Sequence, residues 1–244
     1  MVETAKAAVA VRDMAKLSTR GLDEWRSKGW TLVRGFLREE QLAPLRLECE
    51  RLMAQPALFD QRGAVPASRR RTDRLDPTID VAPEFRALAH HPDMLGLVSE
   101  AVGGEVQLLK DKFIAKPPGA SGYGLHLDGN YWLGMGLDLD RFATAVIFID
   151  DALADKGMIE CADGWYPLAR ADEPISDPDE GSVGPLAPVE ARAGDVLLLH
   201  ARAVHRSGPN RSAEPRRTLS FSYGVDARPG LYQIYQQHRR GLTE

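Results

Sequence analysis

The sequence predicts a mainly β fold with flanking helices, and two observations lead to this prediction. After Gly104, seven short segments with strand-like patterns follow one another with no helical pattern between them. Before Gly104, apolar residues recur at the three- and four-residue spacing of amphipathic helices. Consecutive short strands without helical crossovers favour a barrel or sandwich. We therefore expect helices first and then an antiparallel double-sheet core.

The helical part is predicted to cover residues 21–104. It includes a long loop rich in proline and glycine around the arginine run 69–71, and Gly103 and Gly104 end its last helix. In chain order we expect a flexible arm at 1–20, helical patterns within 22–53 interrupted by a strand-like stretch at 31–37, a loop at 55–82, and helices beginning at Pro83 and at Pro92.

The β core is predicted to cover residues 105–226, with a proline-rich and acidic insertion at about 166–193. At 244 residues the chain fits one domain, so we treat residues 21–244 as a single unit. The predicted strands are 106–116, 123–128, 142–149, 158–161, 195–200, 203–206 and 217–225.

Composition excludes several classes of protein. Lys and Arg total 31 against 35 Asp and Glu, and a net charge of −4 does not fit a nucleic-acid binder. The longest apolar run, 142–149, is far shorter than the ~20 residues of a membrane span. Cys49 and Cys161 are too few for a disulfide framework, so we expect a cytoplasmic protein. The expected partner is a small molecule, and the expected assembly is a monomer or homodimer.

A possible metal site begins in the strand predicted at 123–128. His126 and Asp128 are two residues apart there, so their side chains leave the same face and can share one metal ion. A third residue of suitable type, His205, follows far downstream at the end of a later β segment. Two histidines and one carboxylate form the facial triad of non-haem iron(II) oxygenases. Because the pattern is short, spacing alone leaves nearby His200 as a rival to His205.

The last predicted strand, 217–225, has one apolar and one polar face. Its polar face carries Thr218, Ser220 and Ser222. Arg216 has the same parity, so we expect its guanidinium to enter the cavity that holds the metal-ligand candidates. There it can bind a carboxylate through two hydrogen bonds.

Several segments match, in order, the pattern of one known family. They are residues 29–37, 85–92, 116–119 ahead of His126-Leu127-Asp128, 193–200, and 205–210 with its Ser207-Gly208-Pro209-Asn210 motif. Through these segments, which extend over most of the chain, the sequence resembles the phytanoyl-CoA dioxygenase family of iron(II)/2-oxoglutarate-dependent oxygenases, which includes ectoine hydroxylase. The resemblance implies a double-stranded β-helix, the jelly-roll core also found in cupins. It also implies iron(II), 2-oxoglutarate and O2 as cofactor and cosubstrates.

The resemblance also assigns roles to individual residues. It places His205 rather than His200 at the metal, because the Ser-Gly-Pro-Asn motif follows His205. It implies that Arg216, assisted by Ser207, binds the far carboxylate of 2-oxoglutarate. The implied iron ligands are His126, Asp128 and His205, and further candidates for the cosubstrate are Lys112 and Thr144.

Candidate substrate-binding residues are predicted from their positions along the chain relative to the metal-ligand candidates. Lys110 and Lys112 share parity on the strand before the triad, so an inward face would place two lysines near an anionic substrate. The alternative, a solvated edge-strand face, stays open. The arginine run 69–71 has the same two interpretations. The candidate residues for substrate binding are Asn130, Tyr131, Trp132, Lys110 and Arg70.

The expected reaction is hydroxylation of a small molecule, coupled to conversion of 2-oxoglutarate and O2 to succinate and CO2. Related halogenases replace the metal carboxylate with a small residue, whereas this chain keeps Asp128. The family's Pro-Gly-Ser-His segment is missing after Gly157, which affects expected substrate contacts. Desaturation, epoxidation and cyclisation stay open. The alternative functions are a cupin-like metal-dependent isomerase or hydrolase, and a non-catalytic binding protein.

Overall fold

The fold is taken from a computed structural model that describes residues 16–59, 73–168 and 177–241. Its helices are α1 (Thr19–Lys28), α2 (Glu39–Met53), α3 (Pro83–Ala89), α4 (Pro92–Val102) and α5 (Leu231–Gly241). Its strands are β1 (Trp30–Val33), β2 (Arg74–Leu75), β3 (Gln107–Lys116), β4 (Tyr123–His126), β5 (Phe142–Phe148), β6 (Ile159–Ala162), β7 (Leu186–Val189), β8 (Val196–His200), β9 (His205–Ser207) and β10 (Arg216–Gly224).

The strands form two antiparallel sheets, and the predicted double-stranded β-helix is confirmed. The major sheet has the order β1-β8-β5-β10-β3-β2, and the minor sheet has the order β4-β9-β6-β7. Side chains of both sheets meet in one apolar cluster, in which Phe148 and Leu199 of the major sheet join Ile159 and Val189 of the minor sheet. From β3 to β6 and again from β7 to β10, consecutive strands alternate between the two sheets, which is the pattern of a jelly roll.

The helices cover the outer face of the major sheet. Leu45, Cys49 and Leu52 of α2 lie in one cluster with Ile147 of β5 and Phe221 of β10. Strand β5 is therefore buried on both faces, which explains why its sequence is almost continuously apolar. None of the described helices is long and apolar enough to cross a bilayer.

Two predicted boundaries are wrong. The arm predicted at 1–20 extends too far, because Leu17 is buried, its amide donates to Glu100 (2.7 Å), and the Ser18 hydroxyl caps α1 by accepting from the Gly21 amide. Residues 1–15 lie outside the described part. The insertion predicted at 166–193 also extends too far, because β7 pairs with β6 along its whole length. Residues 169–176 of that insertion are likewise not described.

Helix α5 was not predicted. Its buried residues Leu231 and Tyr235, with half-buried Ile234 and His238 between and after them, follow the i, i+3, i+4, i+7 spacing of a helix. The helix packs against β3, where the Tyr232 hydroxyl donates to buried Asp111 (2.8 Å). Strand β3 therefore lies between β10 and β2, with α5 against it, and its lysine face is not the solvated edge considered as an alternative.

Candidate active site

Two histidines face each other across the minor sheet. His126 ends β4, His205 begins β9, and the two are direct cross-strand partners. Each Nδ1 bonds a carbonyl oxygen two residues earlier, that of Gly124 at 2.8 Å and that of Ala203 at 3.0 Å. Since a carbonyl can only accept, each Nδ1 carries the proton and each Nε2 keeps its lone pair for a metal.

Asp128 completes the cluster and connects it to the major sheet. It lies in the 3-10 turn after β4, and its Oδ2 accepts from the Thr144 hydroxyl of β5 at 2.7 Å. The Thr144 hydroxyl also lies 2.9 Å from the Ser222 hydroxyl of β10. One ligand atom each of His126, Asp128 and His205 lies within 4.8 Å of the others. This donor set fits a two-histidine, one-carboxylate metal site.

The electrostatics keep these side chains in the protonation states that bind metal. Burial lowers the pKa of His126 to about 3, and burial also lowers the pKa of His205. Burial disfavours the charge on Asp128, but Lys112, both histidines and the Thr144 hydrogen bond together hold its pKa below the usual range. At neutral pH the cluster therefore offers two neutral imidazoles and one carboxylate.

A first cavity, which we call the arginine chamber, opens beside the two histidines. Its lining includes Lys112, Tyr123, His126, His205, Ser207, Arg216, Thr218 and Ser220. Arg216 is only 2 % exposed and donates a hydrogen bond to the Thr218 hydroxyl (3.1 Å). Its Nε has no hydrogen-bond partner within the described residues. Burial lowers its pKa to about 10. A buried guanidinium with an unused donor fits an anionic ligand.

Lys116 is a second cation near Arg216, and it was not predicted as a site residue. The two residues are cross-strand partners on β3 and β10. Lys116 is fully buried, and its ammonium donates to the Ser207 hydroxyl (2.9 Å) and the Gly208 carbonyl (2.7 Å). The signal was available, because Lys116 has the same parity as Lys110 and Lys112. Ser207 thus reaches the chamber as predicted, in contact with a lysine.

The Ser-Gly-Pro-Asn motif has a structural explanation. The buried Asn210 amide donates to the carbonyls of Lys116 (3.0 Å) and Glu214 (2.7 Å), which holds the loop between β9 and β10 against β3. This loop delivers Arg216 to the chamber. His200, the rival metal ligand, is engaged elsewhere, because its ring nitrogens bond the Asp140 carbonyl and the Arg202 amide.

A second cavity, which we call the lysine chamber, adjoins the first and shares Lys112, Tyr123 and His126 with it. It is lined by Arg74, Lys110, Lys112, Tyr123, His126, Asp128, Tyr131 and Asp177. Arg74 of β2 is the partner of Ile114, so it shares the inner face of β3 with both lysines. Lys110 lines this chamber alone, whereas Lys112 lines both chambers. Both lysines therefore face the cavity.

The other predicted contacts have mixed outcomes. Tyr131 reaches the lysine chamber, with its ring 6.3 Å from that of His126 and its hydroxyl donating to Asp177 (3.2 Å). The prediction that Trp132 contacts the substrate was wrong, because this side chain is 1 % exposed and packs against Phe142 in an apolar cluster. The prediction for Asn130 stays a prediction: the residue is buried and is not among the lining residues of either chamber. Arg70 lies outside the described residues, as do Arg69 and Arg71.

Comparison with known proteins agrees with this geometry. Residues 25–218 match the phytanoyl-CoA dioxygenase (PhyH) family. The chain belongs to this family. It is an iron(II)- and 2-oxoglutarate-dependent dioxygenase that uses O2. The facial cluster and the unused donor of Arg216 fit these groups.

Relatives and structures within the PhyH family extend the comparison. A methylphosphonate hydroxylase of Gimesia maris is 26 % identical over 92 % of this chain and 87 % of its own length. A 2-aminoethylphosphonate dioxygenase of an uncultured bacterium is 23 % identical over 82 % of this chain and 79 % of its own length. The crystal structure of EctD from S. alaskensis with 2-oxoglutarate and 5-hydroxyectoine superposes with a TM-score of 0.73 at 18 % identity, and covers 91 % of this chain and 85 % of that one. This last likeness shows the fold.

Proposed function

We propose that this dioxygenase hydroxylates a small substrate that carries a phosphonate or a similar oxyanion. The observation that carries the proposal is the lysine chamber, where Arg74, Lys110 and Lys112 converge beside His126 and Asp128. Three cations around one cavity favour an anionic ligand. Two relatives named for phosphonate substrates support the same chemistry.

The two chambers divide the work of binding. In the proposal, His126, Asp128 and His205 hold iron(II), and Arg216 with Ser207 and Lys116 binds the far carboxylate of 2-oxoglutarate. When bound, iron and 2-oxoglutarate supply the oxidising chemistry that converts 2-oxoglutarate and O2 to succinate and CO2. The lysine chamber then holds the anionic group of the substrate and so fixes which C–H bond faces the metal.

Asp128 bears on the outcome of the reaction. Its carboxylate is held toward the two histidines by Thr144, so the carboxylate position of the triad is filled. This supports hydroxylation over halogenation. A cytoplasmic location and a monomeric or homodimeric state stay predictions.

The test is succinate formation by the purified protein with iron(II) under air, with and without candidate substrates. The panel holds methylphosphonate, 2-aminoethylphosphonate, methanesulfonate and a neutral alcohol of matched size. We expect the phosphonates to stimulate succinate formation and to yield a hydroxylated product. His126→Ala should abolish turnover. Lys110→Met, at a residue that lines the lysine chamber but not the arginine chamber, should raise the KM for the phosphonate about tenfold without raising that for 2-oxoglutarate. The matched control is Lys28→Met on α1, where Lys28 contacts Trp30 and should leave both constants unchanged.

Two results would contradict the proposal. Equal stimulation by the neutral alcohol would show that charge does not select the substrate. Lack of any iron-dependent succinate, with zinc bound instead, would favour the cupin-like hydrolase or isomerase.

A further inference from the structure

A buried carboxylate lies directly behind the lysine chamber. The side chain of Asp76 is 1 % exposed, and its Oδ1 accepts from the Arg239 guanidinium at 2.6 Å. The same Arg239 nitrogen donates to the Asp76 carbonyl at 3.0 Å. Arg239 therefore binds both the side chain and the backbone of Asp76.

The chamber cations stand farther from this carboxylate. Oδ2 of Asp76 lies 3.7 Å from the Lys110 ammonium and 3.8 Å from the Arg74 guanidinium. Both distances exceed hydrogen-bond length, and within the described residues Oδ2 has no hydrogen-bond partner. Asp76 is thus hydrogen-bonded to Arg239 and only electrostatically coupled to Lys110 and Arg74.

The surrounding charges favour the charged forms of both Asp76 and Lys110. Burial disfavours the charge on Asp76, but Lys110, Arg239 and Arg74 hold its pKa below the usual value. Burial likewise opposes the charge on Lys110, but Tyr235 and Asp76 hold its pKa above the usual value. One carboxylate therefore faces three cations, and Arg239 supplies its hydrogen-bonded counter-charge.

Arg239 comes from α5, far from the other three in sequence. The helix is anchored independently, because the Tyr232 hydroxyl donates to Asp111, whose other oxygen accepts from the amides of Thr78 and Ile79. The Tyr235 ring lies 5.6 Å from the Lys110 ammonium. The C-terminal helix thus touches both the carboxylate and a chamber lysine.

Loss of Arg239 would leave Asp76 with only the chamber cations as counter-charges. A buried carboxylate without its hydrogen-bonded partner is costly, so Lys110 and Arg74 would turn to it. The chamber would then present about one positive charge fewer to its ligand. A doubly charged oxyanion would lose more binding than a singly charged one of the same shape.

We propose that Arg239 is a positioning residue, which neutralises Asp76 so that Lys110 and Arg74 direct their charge at the substrate, and that it thereby sets selectivity for doubly over singly charged oxyanions. This inference rests on the proposed oxyanion substrate. It makes the C-terminal helix part of the specificity apparatus, although α5 does not line the cavity.

The test compares two probes of similar shape and different charge, methylphosphonate and methanesulfonate. Their dissociation constants are measured by anaerobic calorimetry at pH 8 on protein loaded with iron(II) and 2-oxoglutarate. Arg239→Gln should weaken the binding of methylphosphonate about tenfold and that of methanesulfonate at most about threefold. The binding of 2-oxoglutarate should stay unchanged. Arg239→Lys should retain most of the selectivity, because it keeps the charge.

Two further variants separate charge from structure. Asp76→Asn combined with Arg239→Gln removes both charges and should restore methylphosphonate binding to within about threefold of the parent. Tyr232→Phe removes the other anchor of α5 without changing any charge beside Lys110, so it should leave the selectivity ratio intact.

Each contrary result identifies what is wrong. If Arg239→Gln weakens the binding of both probes and of 2-oxoglutarate equally, Arg239 is merely structural. The same follows if Tyr232→Phe changes the selectivity ratio as much as Arg239→Gln does. If the double variant stays as weak as Arg239→Gln, Arg239 does not act through Asp76. If the parent protein binds neither probe, the oxyanion chamber itself is refuted, and this inference with it.

Discussion

The hydroxyl of Thr144 donates a 2.7 Å hydrogen bond to Oδ2 of Asp128. Thr144 lies within β5 and is 1 % exposed, so this hydrogen bond is shielded from water. It connects the turn that follows β4 of the minor sheet to β5 of the major sheet. Thr144 was expected to bind the cosubstrate, and its observed contact is with a proposed iron ligand instead.

We predict that Thr144→Val weakens iron(II) binding by about 10- to 100-fold, because a group that orients a metal ligand typically has this effect. Valine has nearly the same shape but cannot donate a hydrogen bond to Asp128. Thr144→Ser, which keeps the hydroxyl, should bind nearly as well as the parent. Titration of metal-free protein with iron(II) or cobalt(II), followed by absorbance, measures the constants. Equal affinity in the valine and serine variants would show that the hydrogen bond does not orient Asp128.

The pH dependence of anion binding should report on Lys112. Burial lowers the pKa of Lys112 to about 8. The side chain is charged below this pH and neutral above it, so anion affinity is present at pH 7 and is lost as the pH rises to 9. We expect methanesulfonate, which does not titrate in this range, to bind up to about tenfold more weakly at pH 9.

The control for this titration is Lys112→Arg. Arginine stays charged throughout, so its affinity for methanesulfonate should be nearly flat between pH 7 and 9. The same decline in parent and arginine variant would mean that another group titrates.

Replacing Arg216 should affect the melting temperature differently in the presence and absence of 2-oxoglutarate. The buried guanidinium has only Thr218 as a hydrogen-bond acceptor among the described residues, and removing an uncompensated buried charge relieves a desolvation cost. We predict that Arg216→Met leaves the melting temperature of the cofactor-free protein unchanged or higher. The rise in melting temperature on adding 2-oxoglutarate with a metal ion, by contrast, should be lost. A variant that melts lower but still responds to 2-oxoglutarate would contradict both parts.

Much of this site could be predicted because it depends on strand parity. His126 and Asp128 at two-residue spacing, and Arg216 in step with the polar face of β10, are properties of the local sequence. Pairing between strands then brought these residues together as expected. The inward direction of Lys110 and Lys112 could not be decided in this way, because it depends on β2 and α5, which cover β3 from distant parts of the chain.

Other features depend on contacts that sequence patterns do not record. Asp76 and Arg239 are 163 residues apart, and nothing in either local sequence indicates the other. Trp132 follows a proposed iron ligand closely, yet the 3-10 turn sends it into an apolar cluster beside Phe142. A side chain's distance along the chain from a metal ligand is therefore a poor guide to its distance in space once the strand has ended.

Gly157 precedes the position at which the Pro-Gly-Ser-His segment usual in the family is missing. It lies against the arginine chamber. Its φ is +68°, and a Cβ there would stand 3.0 Å from Cδ of Lys116 and 3.5 Å from Nε of Arg216. Gly119 offers a matched control, because its φ is +78° and a Cβ would meet nothing within 4 Å. Alanine at either position carries the same left-handed backbone strain, but only at Gly157 does it push on the chamber cations.

We predict that Gly157→Ala and Gly119→Ala both lower the free energy of unfolding by about 1–2 kcal/mol, measured by urea denaturation. Only Gly157→Ala should also raise the KM for 2-oxoglutarate, by several fold, because its methyl group displaces Lys116 beside Arg216. The two variants thus share the strain and differ in the contact. If both raise this KM equally, strain rather than contact is responsible, and if neither does, the cosubstrate carboxylate does not lie beside Lys116 and Arg216.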